Sequence, residues 1–136
     1  MINVMRARSL RRWLLCVVLA LAGCSPGVPL QVKTLQLGKS LNPDNSVGTH
    51  TTRFKPDDTI YVSLLSEEPG EGTVTARWTF GGQLVSEAHQ DVSYMRPAAT
   101  EFHLQNSGGF PTGAYRVDIL VNGKPAGSRE FRVEGS

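Results

Sequence analysis

An all-β fold, two antiparallel sheets packed face to face, is predicted for this 136-residue chain by three features of its sequence. Apolar residues recur at every second position over runs of six to ten residues, the period of a half-buried strand. Glycine-rich turn dipeptides separate those runs. From residue 25 onward no window carries apolar residues at helical spacing, and none of helix length is free of Gly, Pro or β-branched residues.

The strands follow in order. Leu30 to Leu37 is the first, but its apolar set shifts phase, from Leu30 and Val32 to Leu35 and Leu37. Because a one-residue slip turns side chains to the other face, the register needs a bulge near Lys33-Thr34, as in a first strand that switches sheets. Thr59 to Leu64 sends Ile60, Val62 and Leu64 inward, and Glu67 to Gly72 breaks the chain. Thr73 to Phe80 sets Val74, Ala76, Trp78 and Phe80 on one face, and Gly81-Gly82 is a two-residue hairpin turn into Gln83 to Glu87. Thr100 to Gln105 carries Phe102 and Leu104 inward. Ala114 to Val121 and Lys124 to Val133 close the chain around Asn122-Gly123, whose residues suit the positive φ angles of a type I′ turn.

Register in the closing hairpin can be counted. A two-residue turn pairs Val121 with Lys124, but an uninterrupted ladder would leave Phe131 and Val133 facing away from the core. One extra residue at or beside Gly127 sets Tyr115 opposite Phe131 and Gly113 opposite Val133, so a β-bulge is expected there. Pro125 suits a final strand at a sheet edge, since it cannot donate to a ladder.

Pro111-Thr112-Gly113-Ala114-Tyr115-Arg116-Val117 resembles the penultimate strand of immunoglobulin-like domains. The resemblance implies a tyrosine corner at Tyr115, a core position at Val117 where antibody domains have cysteine, and Trp78 as the core tryptophan of the third strand. It implies a sandwich of about seven strands, matches the cysteine-free bacterial and fibronectin-like versions, and carries no active site.

The amino terminus reads differently. Arg6, Arg8, Arg11 and Arg12 precede the apolar run Trp13 to Ala22, a charged n-region before an h-region too short to span a bilayer. Leu21-Ala22-Gly23-Cys24 resembles the lipobox of bacterial lipoproteins. The resemblance implies cleavage of a signal peptide at 1–23, palmitate-type acylation of Cys24, a lipidated tether at 24–29 and a folded domain at 30–136. By resemblance to enterobacterial lipoproteins, Ser25 rather than Asp after the cysteine implies transport to the outer membrane; the expected place is its periplasmic face, with the outer surface as the alternative. Five residues, Ser25 to Pro29, reach at most about 17 Å, so the domain is expected close to its bilayer.

Processing changes the charge. Four of the fourteen basic residues leave with the signal, and the ten that remain are outnumbered by all twelve acidic ones. A slightly acidic domain lacks the basic footprint of nucleic-acid binding. Cys16 lies inside the h-region, so the domain keeps no thiol for a disulfide, a nucleophile or a thiolate metal site.

Other constellations reduce to ordinary features. His50, His89 and His103 show no ligand-pair spacing, and with Met95 they do not make a copper-carrier pattern. Asn42, Asp44, Asn45, Asp57 and Asp58 are turn residues without calcium-loop spacing. Ser107 lacks a nucleophile elbow, and neither Gly81-Gly82 nor Gly108-Gly109 opens a helix that could cradle phosphate. No catalytic residue, cofactor or metal ligand is therefore assigned. Tyr61 and Tyr94 fall off the core phase and Phe110 sits in a loop beside Gly108-Gly109; the three stand as candidate contact aromatics for an envelope protein or glycan, the alternative being that they pack on neighbouring residues.

The expected role is a non-catalytic binding or assembly module of the cell envelope, held on the membrane through lipid at Cys24. Two alternatives come from other classes: a small inhibitor or chaperone of an envelope enzyme, acting through the Gly38 to Thr52 loop, and a metal-carrying domain, which needs two histidines to converge.

Overall fold

The computed structural model describes residues 27–135, so the signal segment and Cys24 lie outside the described residues. Eight strands make two sheets. β1 (Thr34–Gly38), β3 (Ile60–Ser66) and β6 (Ala98–Leu104) form a three-stranded sheet in the order β1-β3-β6. β2 (Arg53–Phe54), β4 (Gly70–Phe80), β5 (Gln83–Tyr94), β7 (Gly113–Val121) and β8 (Lys124–Val133) form the other, in the order β2-β8-β7-β4-β5. Among the described residues no helix is long and apolar enough to cross a membrane.

The core lies where the alternation places it. Val62 and Leu64 from one sheet, and Val74, Ala76, Trp78, Val117 and Ile119 from the other, are all buried. Trp78 is the Cα partner of Val117 and Val62 that of Phe102, and all four share one hydrophobic cluster. An aromatic stack fills one end: Phe80 lies 4.5 Å from Tyr115 between ring centroids, and Tyr115 lies 5.3 Å from Phe131. The Tyr115 hydroxyl donates 2.6 Å to the Pro111 carbonyl, forming the corner that the immunoglobulin-like resemblance implied.

The phase shift in the first strand is a change of sheet, not a bulge. Leu30 N–H donates to the Glu71 carbonyl and Glu71 N–H to the Val28 carbonyl, tying the chain to the start of β4. It then crosses through Gln31–Lys33 and runs along β3, from Thr34 opposite Leu65 to Gly38 opposite Tyr61. Leu30 and Leu35 thereby enter one core from opposite sheets.

Most strand limits move by one or two residues from the sequence expectation, and three differences are larger or change the reading. β4 begins at Gly70, so the break is confined to Glu67, Glu68 and Pro69. A Cβ on Gly70 would lie 2.9 Å from the Leu30 Cα; this glycine admits the crossing segment rather than marking a turn. β5 runs on to Tyr94 instead of ending at Glu87. It is an edge strand largely open to water on both faces, so its sequence lacks the apolar alternation that signals a strand. β2 is two residues long and has too short a pattern to be read; it pairs parallel with β8 at Arg132 and Val133, so the final strand is not the sheet edge there, and only its first part, with Pro125, is left without an outer neighbour.

Both hairpin turns and the bulge follow the counted register. Gly81 and Gly82 have φ of 57° and 83°, and Asn122 and Gly123 have 52° and 79°, the type I′ signature. Ile119 pairs with Gly127 and Leu120 with Pro125, leaving Ala126 as the extra residue. Tyr115 then faces Phe131, and Gly113 faces Val133. A second bulge, at Val85, separates the pairs Thr79–Leu84 and Trp78–Ser86.

Candidate functional site

The Gly38 to Thr52 loop is a folded hairpin. Gly48 N–H donates to the Ser40 carbonyl, Asn42 N–H to the Ser46 carbonyl and Thr51 N–H to the Leu37 carbonyl. It lies over the outer face of the three-stranded sheet, where Ser63 donates 2.7 Å to the Asn45 carbonyl and Val47 N–H donates to the Gln36 amide oxygen. Val47 is buried beneath it. Asp44 is committed to the tip, where its carboxylate accepts from the Ser46 hydroxyl and N–H; the hydroxyl bond is the main cause holding its pKa below the usual carboxylate value. Asp58 caps Lys55 N–H at 2.7 Å and pairs with Lys39 at 3.4 Å. These carboxylates serve turns.

The histidines sit apart. His50 bridges to Gly38 at the hairpin base. His89 Nδ1 lies 2.9 Å from the Thr75 hydroxyl, with Nε2 3.6 Å from Glu87. His103 lies 3.2 Å from Glu101 and packs against Tyr61 at 5.6 Å. Among the described residues no group of three or more His, Cys, Asp and Glu is placed to hold a metal ion. Ser107 belongs to a turn in which Gly108 and Gly109 N–H both donate to Asn106.

Of the three candidate contact aromatics, Phe110 is a core residue. It is 7% exposed and meets Tyr115 edge-on at 6.2 Å, because its N–H donates to the Pro56 carbonyl and draws the loop inward. Tyr94 is half-buried, its hydroxyl 2.7 Å from the Thr100 hydroxyl. Tyr61 is half-buried against His103.

Three surfaces remain that the sequence did not point to. The first is the outer face of the five-stranded sheet, which carries rows of polar side chains. Arg116 anchors it, 2.9 Å from Asp118, whose hydrogen bond raises the guanidinium pKa, and 3.2 Å from the Ser128 hydroxyl. Beside it, Arg53, Arg116, Arg132 and Glu130 rim an open groove of about 560 Å³. The second is an apolar notch of about 280 Å³ where the sheets part, lined by Phe80, Val85, Leu104, Phe110, Pro111 and Tyr115. The third is the free edge of β5, where Leu84 and Val85 are 50% and 51% exposed. Each is made by strands distant in sequence or by a polar edge, so no local motif announced it.

No protein-family model matches this chain, and no curated protein matches it in sequence. Among solved structures it is similar to an immunoglobulin-like protein of Pseudomonas aeruginosa, with a TM-score of 0.54 at 10% identity, over 81% of this chain and 100% of that one. It is also similar to part of a Paenibacillus sp. cycloisomaltooligosaccharide glucanotransferase complexed with cycloisomaltoheptaose, with a TM-score of 0.55 at 17% identity. That likeness takes in 82% of this chain but 14% of the enzyme. An alkylpurine DNA glycosylase of Pseudomonas fluorescens, bound to DNA, gives 0.50 at 16% identity, over 79% of this chain and 31% of that one. Of these three, the immunoglobulin-like protein is matched over its whole length, whereas the two enzymes are matched over a minor part of theirs. The chain has an all-β, immunoglobulin-like sandwich fold.

Proposed function

We propose that this protein is a lipid-anchored, non-catalytic binding or assembly module of the bacterial cell envelope, attached through Cys24 to the periplasmic face of the outer membrane. The observation that carries this reading is how soon the domain begins. Val28, four residues after Cys24, is already hydrogen-bonded to Glu71. Four residue steps reach at most about 14 Å, so a lipid at Cys24 would hold the domain against the headgroups. The pole nearest the lipid then carries the start of β4 and the Met95–Pro97 turn. The turns at Gly81-Gly82 and Asn106 to Gly109 lie at the opposite end of the strands, and the polar sheet face stays open to an envelope protein or glycan.

The test is Cys24→Ser. Palmitate label and membrane fractionation of the natural chain should both be lost in the variant, because a single thioether and amine-linked lipid site would be removed. Label retained on the serine variant would overturn the reading. Crosslinking in intact cells then identifies the partner.

A further inference from the structure

We infer that the free edge of β5 pairs with β5 of a second copy of this chain, antiparallel and centred on Ala88, joining two five-stranded sheets into one. The argument begins with which backbone groups are free. In β4, Glu71 exchanges hydrogen bonds with Val28 and Leu30, and the Thr73 carbonyl accepts from Asn122, so its odd-numbered residues turn away from β5. The even-numbered ones bond to β5, which occupies Ser86, Ala88, Gln90 and Val92, their Cα partners. The N–H and C=O groups of Glu87, His89, Asp91 and Ser93 are left pointing outward along one line.

Other edges among the described residues are covered or short. β2 has two residues. The Leu35 carbonyl of β1 accepts from Arg129 at 3.1 Å, and the Glu101 carbonyl of β6 accepts from the Gln90 side chain at 2.6 Å. β5 has twelve residues and contains neither Lys nor Pro, and its one bulge, at Val85, lies outside the Ser86 to Gln90 segment.

The side chains choose the partner and the register. Centred on Ala88, the pairing sets Glu87 opposite the partner's His89 and His89 opposite the partner's Glu87, acceptor against imidazole on both sides of the axis. Ala88 meets itself on the other face, small enough for the close approach of a non-hydrogen-bonded pair. Ser86 meets the partner's Gln90. Centring on His89 would instead oppose Glu87 to Asp91 twice, and centring on Glu87 would oppose it to itself. Centring on Gln90 would push the second strand along the half of β5 that Gln90 and Tyr94 fasten to β6. The two-fold axis normal to the sheet reverses the strand direction, so the two copies of Val28, each bonded to Glu71 opposite Ser93, lie at opposite ends of the joined sheet, and two anchored chains pair with their strands lying along the membrane. The pairing names a partner for the assembly module proposed above and does not require its lipid.

Cysteine crosslinking in cells making the full-length chain tests it. Ala88→Cys should give a reducible homodimer, since only a residue on the axis meets its own copy within disulfide range. Ser86→Cys and Gln90→Cys should each stay monomeric, and the double variant should crosslink. Glu87→Lys in the Ala88→Cys background should lower the dimer by about tenfold, and adding His89→Glu should restore it. All these positions except the half-buried Ser86 are exposed, and circular dichroism of each variant checks the fold. Failure of Ala88→Cys to dimerise, its crosslinking to a different protein instead, or failure of the charge swap to rescue would overturn the pairing. A homodimer found in the soluble fraction would overturn the anchor and leave the pairing standing.

Discussion

Tyr115 and Phe131 stack with their rings 5.3 Å apart and their planes 11° from parallel, on neighbouring strands β7 and β8. They meet because Ala126 is one residue too many. Without that bulge, every side chain from Gly127 to Val133 would turn over, and Phe131 would leave its contacts with Phe54 and Trp78 as well.

Gly127 carries the strain of that arrangement. Its φ is 153°, and a Cβ there would come 2.7 Å from the Leu35 Cδ1 of β1. Gly127→Ala should destabilise the domain by about 1–3 kcal/mol, from an unfavourable φ together with overpacking. Urea unfolding followed by tryptophan fluorescence measures this, and an unchanged midpoint would show that the two sheets separate freely at this edge.

Trp78 is 1% exposed and sits at the centre of the cluster. Its replacement by Ala should remove about 3–5 kcal/mol, a large share of the stability of a small domain. Thermal unfolding by circular dichroism provides the measurement.

The Tyr115 hydroxyl joins packing to titration. Burial raises its pKa above 10.0, so the folded state favours the neutral phenol. The unfolded chain loses that proton first, so this contribution to stability is complete below about pH 10 and disappears as pH rises through the higher folded value. Absorbance at 295 nm should show a tyrosine step above the ordinary phenol value. Tyr115→Phe should abolish that late step and cost about 1–3 kcal/mol, because the Pro111 carbonyl loses its donor.

Asn122 serves the closing turn in two ways. It holds φ at 52°, and its side-chain oxygen accepts from Thr73 N–H at 3.0 Å while its own N–H donates to the Thr73 carbonyl. Asn122→Ala should lower stability by about 1–2 kcal/mol through the left-handed backbone and the lost hydrogen bond. Asn122→Gly should recover the backbone part only, and comparing the two by denaturant unfolding separates the causes.

Much of this was legible in the chain because strand alternation, type I′ turn residues and a bulge glycine are local requirements with fixed spacing. Val74 to Phe80, Asn122-Gly123 and the Tyr115–Phe131 register could be counted without coordinates. The reach of β5 to Tyr94 could not, since an overhanging edge strand wet on both faces has no apolar phase to read. Nor could the burial of Phe110, which depends on a hydrogen bond to Pro56 across the chain. The amphipathic pattern by itself determined which residues face inward. Only the tertiary structure decided which strand edges stay open, because an edge is defined by the neighbour a strand lacks, and the sequence of a strand does not name its neighbours.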